Sequence, residues 1–293
     1  MHPAPSLILF TTLSGLGFGL LAFLGVGLPS VTGWIAAVFF AIGFVLAGGG
    51  LAFSAFHLGH PERALKAFTQ WRSSWLSREA WAASGTLGLM ALFAAALVLG
   101  GLRIAPLGWL GALACLATVG VTSMIYASLR TVPRWHHWST TAMFLGYALC
   151  GGALLAGQRW PALVLLALTG LGQFLAWKAG DARFAAAGST TGTATGLGHL
   201  GQVRLFEPPH TGGSYLTREM VFVVARKHAT KLRSIALILA FLVPLALLLL
   251  PDFHHLGAAL AVLSHTLGVL AARWLFFAEA EHVVGLYYNR SAA

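Results

Sequence analysis

The sequence predicts an all-α integral membrane protein, a bundle of eight transmembrane helices with both termini on the same, cytoplasmic side. Three observations carry that expectation. Of 293 residues, 58% are hydrophobic and only 9% are charged, where soluble domains carry roughly 25% charged residues. Eight stretches reach the roughly 20 mostly apolar residues that a membrane-spanning helix requires. The basic residues gather between alternate stretches rather than evenly, as cytoplasmic loops do.

The expected spans are Ser6–Leu28, Trp34–His57, Glu79–Gly101, Ala105–Leu129, His137–Gly157, Trp160–Trp177, Leu232–Leu250 and Leu256–Phe277. The first has no basic residues before it and no cleavage site after it, so it reads as a retained helix rather than a signal peptide. Two connections are long, His60–Arg78 and a polar stretch over 178–231. Within the latter, Gly188–Gly201 is rich in Gly, Ser and Thr and reads as flexible. Leu216–Arg233 mixes apolar residues with Arg218, Arg226, Lys227 and Lys231, the pattern of an interfacial helix. The whole chain is one membrane domain carrying this long cytoplasmic loop. Glycines such as Gly15, Gly17 and Gly19, or Gly48–Gly50, follow no strand, so close helix packing is the reading in place of a nucleotide loop.

An even number of spans puts both ends on one side, here called the terminal side. Fifteen of the 18 Lys and Arg fall in its loops and tail, Arg273 lies near its end of the last span, and only Arg103 and Arg159 fall on the opposite side. That asymmetry makes the terminal side cytoplasmic. A formal charge of +10 then reflects membrane topology, and nucleic acid is not an expected partner. Cys115 and Cys150 sit in apolar runs without metal spacing and read as packing residues.

Most ionisable groups also gather at the terminal side. His57 and His60 are three residues apart at the end of the second span and so share a face. Pro61, Glu62 and Arg63 follow. Ser77 is a candidate cap for the third span, with Glu79 in its first turn. Tyr126 lies one turn before the fourth span ends, and His136 and His137 open the fifth. Arg273 lies inside the eighth, followed by Glu279, Glu281 and His282. Ionisable residues within a span are costly and face a protein interior, a partner or a water-filled cavity. Plainer roles compete: an interfacial histidine, a carboxylate at a helix N-terminus, an arginine in an inter-helix salt bridge.

A quinone would suit this layout. Its ring and tail need an apolar slot, its carbonyl oxygens need donors, and its turnover needs groups that carry protons. Histidine titrates near neutrality, and burial raises a carboxylate. Haem suits it less. A haem inside the bilayer wants a pair of axial ligands, and only His265 lies deep in a span. No CxxC or cysteine cluster is present to hold an iron–sulfur cluster.

The segment His57-Leu-Gly-His-Pro-Glu-Arg63-Ala, running on to Trp75-Leu-Ser-Arg-Glu79, resembles the membrane-anchor subunit of the dimethyl sulfoxide reductase family. So does Tyr126-Ala-Ser-Leu-Arg-Thr-Val-Pro133-Arg-Trp135, and Arg273-Trp-Leu-Phe-Phe-Ala-Glu279 fits a looser pattern. The stretches Phe206–Thr211, Tyr215–Glu219 and Ala225–Ala229 resemble the branch that serves cytoplasmic sulfite dehydrogenases. The resemblance implies a multi-pass anchor of the bacterial inner membrane, without haem or iron–sulfur cluster of its own. It implies partners on the cytoplasmic side: an iron–sulfur subunit with several four-iron clusters and a molybdopterin catalytic subunit. It implies a quinone site, for ubiquinone or menaquinone, at His57, His60, Arg63, Glu79, Tyr126 and Arg273. His57 and Glu79 match the family's quinol site most directly.

The expected function is quinone-reactive anchor of a molybdopterin oxidoreductase, not catalytic toward the sulfur compound itself, passing electrons to quinone during sulfite oxidation. The alternatives are a quinol-oxidising anchor of a dimethyl sulfoxide or polysulfide-type reductase and, from another class, a secondary transporter. A transporter would show broken helices and internal repeats near the midplane, and the sequence has neither signature.

Overall fold

Burial without water forces each backbone N–H and C=O to find its partner inside the protein, and in lipid a helix meets that demand within one segment. The computed structural model describes residues 1–56, 60–207, 212–221, 228–251 and 254–288. Among them eight helices are long and apolar enough to cross a membrane, and there is no strand. They are α1 (Pro5–Val26), α2 (Gly33–Ala55), α3 (Trp75–Gly100), α4 (Ala105–Ala127), α5 (Trp138–Leu155), α6 (Arg159–Ala186), α7 (Ala229–Leu249) and α8 (His255–Ala278).

Short turns join α1 to α2, α3 to α4, α5 to α6 and α7 to α8 at one end, which makes each pair antiparallel neighbours. The longer connections, the N-terminus and the described residues that follow α8 lie at the other end. The amino group of Met1 donates to the carbonyl oxygen of Ala280 at 2.8 Å, and the His2 amide donates to Glu219 at 2.7 Å.

The central helix is α1, buried along nearly its whole length. Its glycines explain how three neighbours reach it. A Cβ on Gly17 would overlap the backbone of Gly43 and Ala47 in α2, one on Gly19 the Ala148 carbonyl and Gly152 in α5, and one on Gly25 the Gly108 carbonyl in α4. Gly50 of α2 packs likewise on the backbone at Ser14. Gly15, Gly48 and Gly49 have open space instead. Helices in lipid associate through such close backbone contact, because apolar side chains gain little by leaving lipid tails for one another.

The structure departs from the sequence reading in four places. Helix α3 starts at Trp75 after Ser74, so Ser77 lies within it, buried, with its hydroxyl unpartnered, and Glu79 lies in its second turn. Helix α6 continues to Ala186, so the first part of the polar stretch 178–231 is helical. Within Gly188–Gly201 a short helical segment, Thr191–Thr195, is closed by a reciprocal cap: Thr190 Oγ1 accepts from the Thr193 amide, and Thr193 Oγ1 accepts from the Thr190 amide. The Tyr287 hydroxyl donates to Ala194 at 2.6 Å and ties this segment to the C-terminal 3₁₀ turn Val283–Tyr288. Of the expected interfacial helix, Leu216–Met220 forms one turn, Ala229 already belongs to α7, and residues 222–227 lie outside the described residues.

Helix α7 is irregular for a definable reason. Pro244 has no N–H to give to Ala240, four residues before it, and the helix widens into a π-turn over Ile238–Leu242. Two side chains of α8 meet the released carbonyls: His265 Nδ1–H donates to Ala240 at 2.7 Å and Ser264 Oγ to Leu239 at 2.8 Å.

Replacing Gly19 with Ala should lower stability by about 1–3 kcal/mol, because its Cβ meets backbone that cannot turn aside. Thermal unfolding of the detergent-solubilised chain checks this against Gly15→Ala, where space is open; equal melting temperatures would contradict the packing role.

Candidate functional site

The terminal-side end of the bundle is built from short polar contacts between neighbouring helices. On the α3–α4 seam, Thr86 and Thr118 join hydroxyls at 2.9 Å. One turn nearer the end, Thr122 Oγ1 donates to Glu79 Oε1 at 2.5 Å. Glu79 is only 3% exposed, a carboxylate held in the bundle by a hydroxyl on the next helix. It lines a cavity of about 250 Å³ whose walls are otherwise mostly apolar, including Leu51 and Ala55 of α2, Phe68 of the connection and Leu76 and Ala83 of α3. The roof is the 3₁₀ helix Pro61–Phe68. It is fastened to α3 by Trp81, whose indole N–H donates to the Phe68 carbonyl at 3.0 Å while the two rings pack edge to face at 5.2 Å.

The other residues named from sequence fall in different places. His57 lies outside the described residues. His60 immediately precedes the 3₁₀ helix, without a side-chain cap, rather than continuing α2, which ends at Ala55; it is exposed and meets Glu62 at 2.9 Å. Arg63 is exposed, 3.9 Å from Glu62. Tyr126 is buried in an aromatic cluster with Trp135, Phe144, Phe276 and Phe277, ring centroids 5.3–5.7 Å away. Arg273 is 3% exposed, with its guanidinium carbon 3.6 Å from the Phe144 ring centre and 5.3 Å from that of Tyr147.

Arg273 does not share a cavity with Glu79. It lines a second, much smaller one, of about 60 Å³, between α5, α6 and α8, with Arg134 and Arg183 also on its walls. The structure therefore puts Glu79 and Arg273 in two pockets that have no lining residue in common, and His60, Arg63 and Tyr126 line neither.

Sequence reasoning missed an ion-pair quartet at this end. Arg134, in the α4–α5 connection, reaches Asp181 of α6 at 2.6 Å and Glu279 at 3.3 Å. Arg233 of α7 reaches the same two carboxylates at 2.5 Å and 2.6 Å. Two guanidiniums and two carboxylates thus join the α4–α5 connection, α6, α7 and the end of α8. The only available signal was that two of just eight acids lie at helix ends on the basic side.

The connection 128–137 also closes helix ends. Trp135 Nε1–H donates to Phe276 at 2.9 Å and His136 Nδ1–H to Ala127 at 2.7 Å. His137 is the N-cap of α5, its Nδ1 accepting from the Ser139 amide at 3.2 Å and from Arg183 at 2.9 Å. Since arginine only donates, this Nδ1 carries no proton. Partial burial and then the Arg183 charge hold His137 below the usual histidine range, in keeping with a neutral ring.

An eight-span helical bundle with a buried carboxylate in an apolar pocket at its basic end has the form of a membrane protein that serves partners at one face. Residues 1–176 match the DMSO reductase anchor subunit (DmsC) family. Over the full length of both chains the protein is 34% identical to a sulfite dehydrogenase subunit of Allochromatium vinosum. The chain belongs to the DMSO reductase anchor subunit family, and it is a membrane-anchor subunit of an oxidoreductase complex. The matched region holds Glu79, Thr122 and Tyr126; Arg273 lies beyond it.

The quartet gives a graded expectation. Glu279 is 4% exposed, so Glu279→Gln leaves two guanidiniums short of a partner and should cost about 3–5 kcal/mol. The Asp181 side chain is 46% exposed, so Asp181→Asn should cost about 1 kcal/mol or less. Chemical or thermal unfolding of both variants checks the order, and the reverse ranking would show that Asp181 is the central partner.

Proposed function

We propose that this chain passes electrons between a partner iron–sulfur subunit and the membrane quinone pool during oxidation of sulfite to sulfate, with a molybdopterin subunit performing the sulfur chemistry. The observation that carries this reading is Glu79, a buried carboxylate on the wall of an apolar cavity at the basic end of the bundle. The likeness to a sulfite dehydrogenase subunit supports the choice of substrate.

A bound quinone supplies a two-electron, two-proton carrier. The residues present fit such a group: apolar walls from α2, α3 and the 3₁₀ roof take a ring and tail, and one acid faces them. Glu79 holds or releases a proton at its carboxylate. Thr122 fixes that carboxylate from α4. His57 opens the same connection in the sequence, and His60 and Arg63 lie at the start of the roof. Tyr126 does not line this pocket; it lies in the aromatic cluster with Trp135, Phe144, Phe276 and Phe277.

The charge bias favours a cytoplasmic position for this end, and for the partner subunits with it. A catalytic subunit on that side favours sulfite oxidation with electrons leaving to quinone. The resulting release of protons by sulfite oxidation and uptake by quinone balance at two each.

Two measurements test this. A Ser189→Cys variant should resist labelling by a membrane-impermeant thiol reagent in intact cells and label readily in inverted vesicles; efficient labelling from outside reverses the orientation. In the assembled complex, Glu79→Gln and His57→Ala should each lower quinone-linked sulfite oxidation, by about 10²–10⁴-fold for loss of a proton-transfer group. Turnover with a soluble artificial acceptor should be unchanged. Normal quinone-linked rates in both variants would place the site elsewhere.

A further inference from the structure

The cavity between α5, α6 and α8 carries a charge imbalance that the ion-pair quartet does not resolve. Its cationic lining residues are Arg134, Arg183 and Arg273, and its one acid is Glu279. Arg134 and Glu279 are committed to the quartet with Arg233 and Asp181, where two positive and two negative charges cancel. Arg183 and Arg273 remain. Arg183 donates to the Arg134 carbonyl, to His137 Nδ1 and to Ser139 Oγ, all uncharged acceptors. Among the described residues, no carboxylate pairs with Arg273 and its buried Nε has no hydrogen-bond partner. Its contacts are the faces of Phe144 and Tyr147, which offset only part of the cost of burying a guanidinium.

The N-terminal turn of α5 adds to the positive field. Ser139 and Thr140 line the cavity, and the positive end of the helix dipole points the same way. Trp135, Tyr147 and Trp177 add apolar walls, beside which a charge pair is stronger than in bulk water. The cavity lies at the terminal-side end of the bundle, where lipid phosphates sit.

We infer that this cavity is a binding site for a phosphate-class oxyanion, held between Arg183 and Arg273. A tetrahedral oxyanion presents oxygens in several directions and can meet two guanidinium forks from different walls. The site is independent of the quinone reading, since it shares no lining residue with the Glu79 cavity. Two sources offer this chemistry, the headgroup of an anionic phospholipid and free phosphate.

The test uses the full chain reconstituted in nanodiscs of phosphatidylglycerol or of phosphatidylcholine. Native mass spectrometry after release reads retained lipid, and the thermal midpoint in phosphatidylcholine discs is followed against inorganic phosphate. Stoichiometric phosphatidylglycerol retained by the wild type, and weakened about tenfold by Arg183→Gln and Arg273→Gln, assigns the site to a lipid headgroup. Stabilisation by inorganic phosphate that both variants lose, with no lipid retained, assigns it to the free anion. Arg130→Gln, exposed at the same end, should leave either result unchanged. Should Arg273→Gln fold poorly, Arg183→Gln decides alone, since Arg183 lies at the partly exposed mouth. Retention and phosphate stabilisation that are both absent, or that are the same in the wild type and in Arg183→Gln, overturn the inference.

Discussion

The bundle depends on backbone-to-backbone contact around α1. Gly17, Gly19 and Gly25 face α2, α5 and α4 in turn, and each position has backbone where a side chain would begin. In lipid there is no general gain from pressing apolar side chains together, so close van der Waals approach must supply the cohesion. Once α1 fixes α2, α4 and α5, the remaining helices have little choice. Helix α3 lies against α4 and α2, which sets Thr122 beside Glu79 and makes the pocket beneath the 3₁₀ roof. The candidate quinone site is in this sense a consequence of three glycines on a helix that does not line it.

The other half of the molecule is held differently. Helices α6, α7 and α8 meet at the terminal-side end through the quartet of Arg134, Asp181, Arg233 and Glu279. Deeper in, α8 repairs the α7 backbone that Pro244 interrupts, through His265 and Ser264. Both devices follow from the same rule that unpaired polar groups are expensive away from water. The buried His265 thus acts as a donor to backbone, and its Nδ1 is occupied by that task.

These two ways of cohering leave two kinds of pocket. The one near α2 and α3 is apolar with a single buried carboxylate, and suits a neutral ring that exchanges protons. The one between α5, α6 and α8 is aromatic with surplus guanidinium charge, and suits an anion. Grouping Glu79 with Arg273, as their shared position near one membrane boundary suggested, joins residues that the packing keeps apart.

The sequence by itself determined the eight spans, because apolar length and scarcity of charge are local properties that hydration energy reads directly. It also marked Glu79 as a residue of interest, since a carboxylate that close to a span has few comfortable environments. It misplaced the start of α3, which begins at Trp75 after an extended Ser74 that makes no side-chain cap, so that Ser77 is buried inside the helix. It did not pair the members of the quartet, whose bonded partners are 46–145 residues apart along the chain. Charge partners separated so far are chosen by which helices adjoin. That choice rests on the shape of glycine-lined surfaces summed over the bundle, and only the tertiary structure decided it.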